Sequence, residues 1–303
     1  MYSVIIFATL LPIIGLFYFP VAVLAFVILP YIGYCSLNSH HLKDGRPWRY
    51  FSENFIFLPI FRSHIGLRIS SLPKELIDAE KKEDAQFLIA FFPHGCSCDF
   101  RFMMEGMLPS VFPNIYSKCR ALSATVLYYI PVVREMTLWS GCIDARRSVA
   151  EKAIDRGRTI IVLPGGLPEQ IRTCRGREIL YIKKRKGFIR LALKKKIPIV
   201  PSYVFGSSDL YKTSRSFYNL RYWLMNNLNM CLTNHSGLYG SWCPYPIQNT
   251  IVFGRPLHFE IKGAEPTPEE VINAHEVFCK ALEDLFDEHK DRLGYGDRAL
   301  EME

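Results

Sequence analysis

The chain alternates between continuous apolar runs and stretches in which apolar residues recur every three or four positions. A short apolar run bounded by turn residues is typical of a buried strand, and the three- or four-residue spacing is typical of a helix. The predicted strands are residues 86–92, 159–163, 197–205 and 250–254. The predicted helices are residues 100–107, 146–156, 187–195 and 217–228. This alternation predicts an α/β fold with a central sheet flanked by helices.

A final helix is marked at both ends. Thr267 and Glu270 have the spacing of a capping box, and Pro268 occupies the first helical position. Gly294 follows the last apolar position and predicts where the helix ends. The predicted core-facing positions are Val271, Ala274, Phe278, Ala281 and Leu285. We find no repeat and no linker after residue 50, which predicts one domain over residues 43–303.

Residues 1–34 contain no Asp, Glu, Lys, Arg or His. A straight helix of that length would run about 50 Å, against a hydrocarbon core of about 30 Å. Prolines interrupt it at Pro12, Pro20 and Pro30. We therefore predict that residues 1–42 form a membrane-embedded hairpin of one or two transmembrane segments, which turns near Phe19 and Pro20. The alternative is a buried core segment of a soluble protein. Basic residues follow at Lys43, Arg46 and Arg49 and predict a cytosolic flank.

The charge and the cysteines narrow the class of protein. The 303-residue chain has 37 Lys and Arg against 29 Asp and Glu, a net charge of +8, which favours an anionic partner such as nucleic acid, a membrane surface or a phosphorylated cofactor. Its nine cysteines form no C-x-x-C pair, so neither a zinc site nor a disulfide framework is indicated. The serine-hydrolase motif G-x-S-x-G and the P-loop motif are both absent from the sequence.

Candidate chemistry follows the first predicted strand. The sequence "FFPHGCSCDF" places His94 after Pro93 at the strand end, where sites form in α/β proteins. A neutral imidazole can take a proton from a hydroxyl when a carboxylate fixes its tautomer, and Asp99 lies within reach if a helix begins next to it. Gly95 would let a substrate approach closely. The alternative is a purely structural hydrogen bond between the two side chains.

Three later stretches, "GCIDARR" (141–147), "LPGGLPEQ" (163–170) and "IPIVP" (197–201), follow His94 in order. Together with H-x4-D they resemble the four blocks of PlsC-type glycerolipid acyltransferases. The stretches "FPHG", "LPGGLPEQ", "KKRKGFIRLALKKKIPIVPSYVFGSSDLY" and "LFDEHKDRLGY" resemble the type 2 diacylglycerol O-acyltransferase family more closely. This second resemblance covers about residue 49 to the C-terminus.

The resemblance implies a glycerolipid-acyltransferase-like fold and a set of roles. It implies that His94 is the general base, with Glu169 from the G-G-x-x-E block as the alternative to Asp99 for the supporting carboxylate. The first resemblance implies that Arg146 and Arg147 hold a phosphate-bearing acceptor. Backbone N–H groups at Gly165 and Gly166 are expected to face an oxyanion. The basic turn with Arg185, Lys186 and Gly187 is expected to hold the phosphates of coenzyme A.

The implied reaction is transfer of an acyl group from acyl-CoA, a co-substrate, to diacylglycerol, without a metal or other cofactor. Triacylglycerol would form at the endoplasmic reticulum membrane on its cytosolic face, and the protein could also reach lipid droplets. No nucleic-acid partner is expected, and association between copies is left open. Alternative acceptors are monoacylglycerol, a long-chain alcohol, a sterol or a lysophospholipid. The alternative outside enzymes is an inactive lipid-binding scaffold.

Overall fold

The computed structural model describes residues 11, 14–15, 18–55, 57–70, 72–229 and 231–303. In this part of the chain the main sheet has seven strands in the order β1-β10-β7-β2-β5-β3-β4. β10 runs antiparallel to β7, and every other neighbouring pair is parallel. The strands are β1 (Arg68–Ile69), β2 (Leu88–Phe92), β3 (Cys119–Ser123), β4 (Cys142–Asp144), β5 (Thr159–Val162), β7 (Ile199–Phe205) and β10 (Thr250–Phe253).

Two small sheets lie outside the main one. β6 (Glu178–Leu180) pairs in parallel with β11 (Leu300–Met302), and β8 (Lys212–Thr213) pairs antiparallel with β9 (His235–Ser236). The four strands predicted from apolar runs are confirmed to within two residues at each end. The short strands at 68–69, 178–180 and 300–302 were not predicted, because two or three residues are too few to show a period.

The helices of the described residues begin with α1 (Pro20–Val23), a π-helical turn (Leu24–Ile28) and α2 (Leu29–Leu37). The next are α3 (Arg49–Asn54), α4 (Phe57–His64), α5 (Lys74–Glu80), α6 (Asp99–Met104), α7 (Leu108–Val111) and α8 (Val133–Trp139). The last are α9 (Arg147–Asp155), α10 (Gly166–Gln170), α11 (Gly187–Lys195), α12 (Tyr218–Leu228) and α13 (Pro268–Leu293). The predicted helices are thus confirmed, including the capping box of α13 between Thr267 and Glu270.

Apolar cores cover both faces of the main sheet. Side chains of β2 alternate between them: Leu88 and Phe92 pack into one core, Ile89 and Phe91 into the other. Because successive residues of a strand point to opposite faces, a strand covered on both sides must be apolar throughout. This explains why the strand sequences read as continuous apolar runs. The predicted α/β class with a helix-flanked central sheet is therefore confirmed; likeness to glycerolipid acyltransferases at the level of the fold stays a prediction.

Residues Val21–Leu42 have the length and composition of a membrane-crossing helix, and none of their most apolar window is buried. The first arm of the predicted hairpin falls largely on residues outside the described part of the chain. The second arm is held by α8, where the buried Arg134 donates to the Asn38 carbonyl at 2.6 Å and lies 5.2 Å from the Tyr34 ring. The apolar helix is therefore joined directly to the α/β domain.

The path of the chain after this helix shows from which edge of the sheet it emerges. His41 stacks at 4.6 Å on Tyr128, whose hydroxyl lies 2.6 Å from that of Ser123 at the end of β3. Three residues later, the backbone oxygen of Asp44 accepts a 2.7 Å bond from Arg120 near the start of β3. The helix therefore enters at the edge where the parallel strands end, which we call the carboxyl edge.

The partly buried Arg298 links the chain before the last strand to the main sheet. The Arg298 guanidinium lies 2.8 Å from Glu178 and 2.7 Å from Asp209, and both carboxylates are buried. Tyr203 on β7 donates to Glu178 at 2.7 Å, and Asp209 accepts a 2.8 Å bond from the N–H of Gly176. Loss of Arg298 would leave two buried carboxylates without their cation.

We expect Arg298→Leu to lower the free energy of unfolding by about 3 kcal/mol, since removing one partner of a buried ion pair strands the other. The matched control is Arg177→Leu, which breaks the pair between Arg177 and Glu301 on the same small sheet. Those side chains are 48% and 41% exposed, so the loss should be much smaller than that of Arg298→Leu. Thermal unfolding in detergent measures both, and equal losses would contradict the role given to Arg298.

Candidate active site

Three strand ends meet at the carboxyl edge. β2, β5 and β7 are neighbours, and each continues into a glycine-containing turn. The turn after β2 holds His94 and Gly95, and the turn after β7 holds Ser207. Gly95 has φ +68° and a Cβ there would lie 2.7 Å from the Ser207 hydroxyl, so only glycine fits. Close packing of these turns places His94 at the centre of the sheet edge.

The His94 side chain is partly buried and has a defined tautomer. Its Nδ1 lies 3.2 Å from the carbonyl oxygen of Gly95. A carbonyl only accepts, so Nδ1 must hold the hydrogen, which leaves the lone pair on Nε2. Burial lowers the pKa of the imidazole below its usual value, because the charged form loses water. The residue is thus neutral at physiological pH, with Nε2 able to accept a proton.

Glu169 fixes the turn that presents His94. Its fully buried carboxylate accepts a short hydrogen bond from the backbone N–H of His94 and a 2.8 Å bond from the N–H of Tyr181. Burial raises the pKa of Glu169 to about 7, and these two bonds only partly offset that rise. A Cβ on Gly165 would overlap the carboxylate. The glycine before α10 is therefore needed to admit the Glu169 side chain.

A second bond from α10 holds the same turn, since Gln170 donates from Nε2 to the Cys96 carbonyl at 2.6 Å. Gln170, Tyr181 and Ser207 are contributors that sequence reasoning missed. Gln170 stands inside the "LPGGLPEQ" block and could have been noticed there. Ser207 likewise stands inside the quoted stretch 183–211, whereas nothing in the sequence marks Tyr181, because it reaches the site through tertiary packing.

Asp99 lies in the same loop but is hydrogen-bonded to other side chains. Its carboxylate accepts a short hydrogen bond from Ser97 and a 2.9 Å bond from the Tyr211 hydroxyl. Among the described residues we find no hydrogen bond between the His94 ring and either Asp99 or Glu169. Cys98 adopts a left-handed conformation before α6, and the chain turns there. The expected contact from Asp99 back to His94 is therefore not present in this geometry.

The arginine pair lies at the carboxyl edge but far from His94. Arg146 precedes α9 and follows β4, which is three strand spacings, roughly 14 Å, from β2. Its Nε lies 3.2 Å from the fully buried Asp144, and Arg147 lies 2.8 Å from Glu151 one helical turn on. Both guanidinium groups already have carboxylate partners, and neither is brought to the His94 turn.

The basic turn before α11 does reach the site. Arg185 lies 3.4 Å from the Gly165 carbonyl and 5.2 Å from the Tyr181 ring. Arg172 lies over the same ring at 4.7 Å, so the two guanidinium groups both contact Tyr181. Lys186 is the residue before α11, and Gly187 is its first residue. Positive charge and a helix N-terminus therefore lie beside the glycine pair, as a phosphate-bearing ligand requires.

The cysteines of the turn are poor nucleophiles. Burial raises the pKa of Cys96 to about 12, and it raises the pKa of Cys98 as well. A thiol reacts as its thiolate, which is scarcely populated at neutral pH under these conditions. A covalent acyl-cysteine intermediate is therefore disfavoured.

Comparison with known proteins gives the class. The family model for diacylglycerol acyltransferase matches residues 43–303, and the chain belongs to this family. The chain is 29% identical to 2-acylglycerol O-acyltransferase 3 of Homo sapiens, over 71% of this chain and 68% of that protein. It is 27% identical to acyl-CoA wax alcohol acyltransferase 2 of Mus musculus, with 84% and 76% covered, and 28% identical to diacylglycerol O-acyltransferase 2 of Danio rerio, with 86% and 72% covered. The predicted membership of the type 2 diacylglycerol acyltransferase family is confirmed.

The role of the Glu169 carboxylate can be tested by Glu169→Gln. Both oxygens accept from N–H groups, so an amide nitrogen at one of them would leave the N–H of His94 or Tyr181 without an acceptor. A buried unsatisfied donor costs about 1–3 kcal/mol, and we expect acyl transfer to fall about ten-fold or more. The comparison is Asp99→Asn, where both bonds converge on one oxygen that the amide can replace. A larger loss for Asp99→Asn, at equal thermal stability, would assign the supporting role to Asp99.

Proposed function

We propose that this protein transfers an acyl group from acyl-CoA to the free hydroxyl of diacylglycerol, forming triacylglycerol. The observation that supports this most strongly is the tautomer of His94, whose Nδ1 faces the Gly95 carbonyl and whose Nε2 is left as the base at the carboxyl edge. Membership of the diacylglycerol acyltransferase family agrees with this chemistry.

The proposed reaction is a direct transfer. Nε2 of His94 takes the hydroxyl proton, and the acceptor oxygen attacks the thioester carbonyl carbon. Backbone N–H groups at Gly165 and Gly166 stabilise the oxyanion. The carbon–sulfur bond then breaks, and the coenzyme A thiolate takes the proton back from Nε2. General base catalysis contributes about 10²- to 10⁴-fold, and an oxyanion donor contributes about 10²- to 10³-fold.

The phosphates of acyl-CoA are assigned to Arg185, Lys186 and the N-terminus of α11 at Gly187. Arg185 touches the Gly165 carbonyl, so a ligand held there would have its thioester directed toward the glycine pair. Pro93 and Gly95 would line the acceptor side of the same opening. In this arrangement donor and acceptor reach Nε2 from opposite sides of the His94 turn.

We propose a neutral acceptor because the arginine pair is engaged elsewhere. A phosphate dianion near His94 would need fixed cations, most effectively a bidentate arginine. Arg146 and Arg147 are bonded to Asp144 and Glu151, roughly 14 Å from the base by strand spacing. Monoacylglycerol and long-chain alcohols are kept as alternative acceptors. The relatives named for 2-acylglycerol and wax alcohol are about as similar to this chain as the relative named for diacylglycerol.

The proposed location is the endoplasmic reticulum membrane, with the α/β domain on the cytosolic face and access to lipid droplets. The apolar segment Val21–Leu42 supports a membrane location, and the basic residues Lys43, Arg46 and Arg49 support the orientation. This segment joins the domain at the carboxyl edge, which would place the opening at His94 near the lipid phase.

Competition among acceptors tests the proposal. Purified protein in vesicles is given labelled acyl-CoA with diacylglycerol, monoacylglycerol, a long-chain alcohol and lysophosphatidic acid together. We expect label mainly in triacylglycerol, and a loss of about 10²-fold or more in His94→Ala. His258→Ala, which removes an exposed histidine, is the matched control and should keep its activity. Dominant labelling of phosphatidic acid would overturn the neutral-acceptor assignment, and an active His94→Ala would overturn the base.

The pH dependence shows whether the titration of His94 or that of Glu169 controls the activity. Activity requires the neutral imidazole, so it should fall as the pH drops through the pKa of His94. Burial lowers that pKa, which places the midpoint of the acid limb of kcat/KM below the ordinary histidine value of about 6.5. The pKa of Glu169 is about 7. An acid limb centred near 7 would instead point to ionisation of Glu169 as the controlling step.

A further inference from the structure

Helix α12 presents its large apolar side chains to the outside. Phe217, just before the helix, is 78% exposed, and Leu220 and Trp223 are 56% and 55% exposed. Residues spaced by three or four positions share one face of a helix, so Phe217, Leu220 and Trp223 are neighbours on the outside of α12. Leu224, which is partly exposed, lies four positions from Leu220 and four from Leu228, which is 56% exposed, and so extends this apolar strip to the end of the helix. We call this strip the α12 face.

The charged residue of α12 points inward. Arg221 is 8% exposed, and its guanidinium donates to three backbone carbonyls at the base of the helix. The acceptors are Ser214 at 2.7 Å, Ser216 at 3.1 Å and Leu232 at 3.2 Å. A helix on a water-exposed surface has the opposite arrangement, with apolar residues inward and charges outward. Helix α13 shows that ordinary pattern, with Val271 and Phe278 buried and Glu276 and Asp284 exposed.

The stretch of sequence that contains α12 carries charge of one sign. Residues 210–259 contain no Asp or Glu, and their Lys and Arg are Lys212, Arg215, Arg221 and Arg255. Lys212 and Arg215 are exposed and lie just before the helix. Exposed aromatic and aliphatic side chains next to basic residues, without acidic ones, match the chemistry of an anionic bilayer interface.

The α12 face is placed beside the active site. The Cys231 thiol lies 3.8 Å from the Leu167 carbonyl in α10, and the Tyr222 ring lies 5.8 Å from the Arg172 guanidinium. Helix α10 holds the turn of His94 at the carboxyl edge. The apolar helix Val21–Leu42 also meets the domain at this edge. Two apolar surfaces, separated by about 180 residues of sequence, therefore belong to the same side of the fold.

We propose that the α12 face is a second membrane-contact surface, which lies in the interface of an anionic phospholipid bilayer with Lys212 and Arg215 toward the head groups. The bilayer then lies against the carboxyl edge, and a lipid acceptor reaches His94 without crossing water. The proposal rests on the proposed function only in taking the acceptor from the bilayer.

Tryptophan quenching tests this contact in the full chain. The four tryptophans are Trp48, Trp139, Trp223 and Trp242, so replacing the other three by Phe leaves Trp223 as the only reporter. The protein is reconstituted in vesicles of phosphatidylcholine and phosphatidylserine, with or without brominated acyl chains. The matched control has all four tryptophans replaced by Phe and Val277→Trp added on α13, where Val277 is 50% exposed.

We expect brominated chains to quench Trp223 and not the Val277→Trp reporter. Leu220→Glu should weaken the partition of the α12 face about ten-fold and so reduce quenching of Trp223, while the protein stays in the vesicles. Vesicles without phosphatidylserine should give less quenching, and equal quenching would overturn the role of Lys212 and Arg215. None of these signals depends on acyl transfer. A failure of the membrane-contact proposal can therefore be distinguished from a failure of the acceptor assignment.

Equal quenching of Trp223 and the control reporter would overturn the proposal. In that case, light scattering compares the particle mass of the unsubstituted protein with that of Leu220→Glu. If the substitution halves the mass, a second copy of the chain covers the α12 face. An unchanged mass would show that the face is exposed to water.

Discussion

The position of the His94 turn at the carboxyl edge depends on one buried carboxylate. Glu169 accepts from the N–H of His94 in the turn after β2 and from the N–H of Tyr181 after β6, so it joins His94 to the turn that leads to Arg185. Gly165 must lack a side chain to admit it, and Gln170 adds a second bond to the same loop. Because both carboxylate oxygens accept from backbone N–H groups, Glu169 holds the His94 turn through the main chain.

Burial suppresses charge at this edge. It lowers the pKa of His94 and raises that of Glu169 to about 7, and it raises the pKa of Asp99. Each shift has the same cause, since a buried group loses the water that stabilises its ion. Nearly neutral groups suit the proposed acceptor, because an uncharged lipid hydroxyl would reach them at little desolvation cost. The fixed positive charge lies to one side, in the basic turn, where a phosphorylated donor can use it.

The elements that could be predicted from the sequence are those with a clear hydrophobic pattern or with capping residues at their ends. Fully buried strands such as β2 and the capped helix α13 could be predicted closely, and so could the turn that contains His94. The sequence could not decide between Asp99 and Glu169 as the partner of His94, because H-x4-D fixes a separation along the chain and not a direction. A left-handed residue at Cys98 turns Asp99 toward Tyr211, more than a hundred residues away. Likewise, Arg146 lies in the "GCIDARR" stretch, which resembles a block of the PlsC-type acyltransferases. The strand order nevertheless places it at the far end of the sheet from β2.

The pairing of β6 with β11 has a consequence for synthesis. The turn with Tyr181 and Arg185 follows β6, whose only strand partner among the described residues is Leu300–Met302. Backbone N–H groups of Ile182 and Lys183 bind the carbonyl of Glu303. On the ribosome, the apolar helix near residue 21 therefore emerges long before the turn with Tyr181 and Arg185 can be held in place. This side of the candidate site can form only after nearly the whole chain has been made.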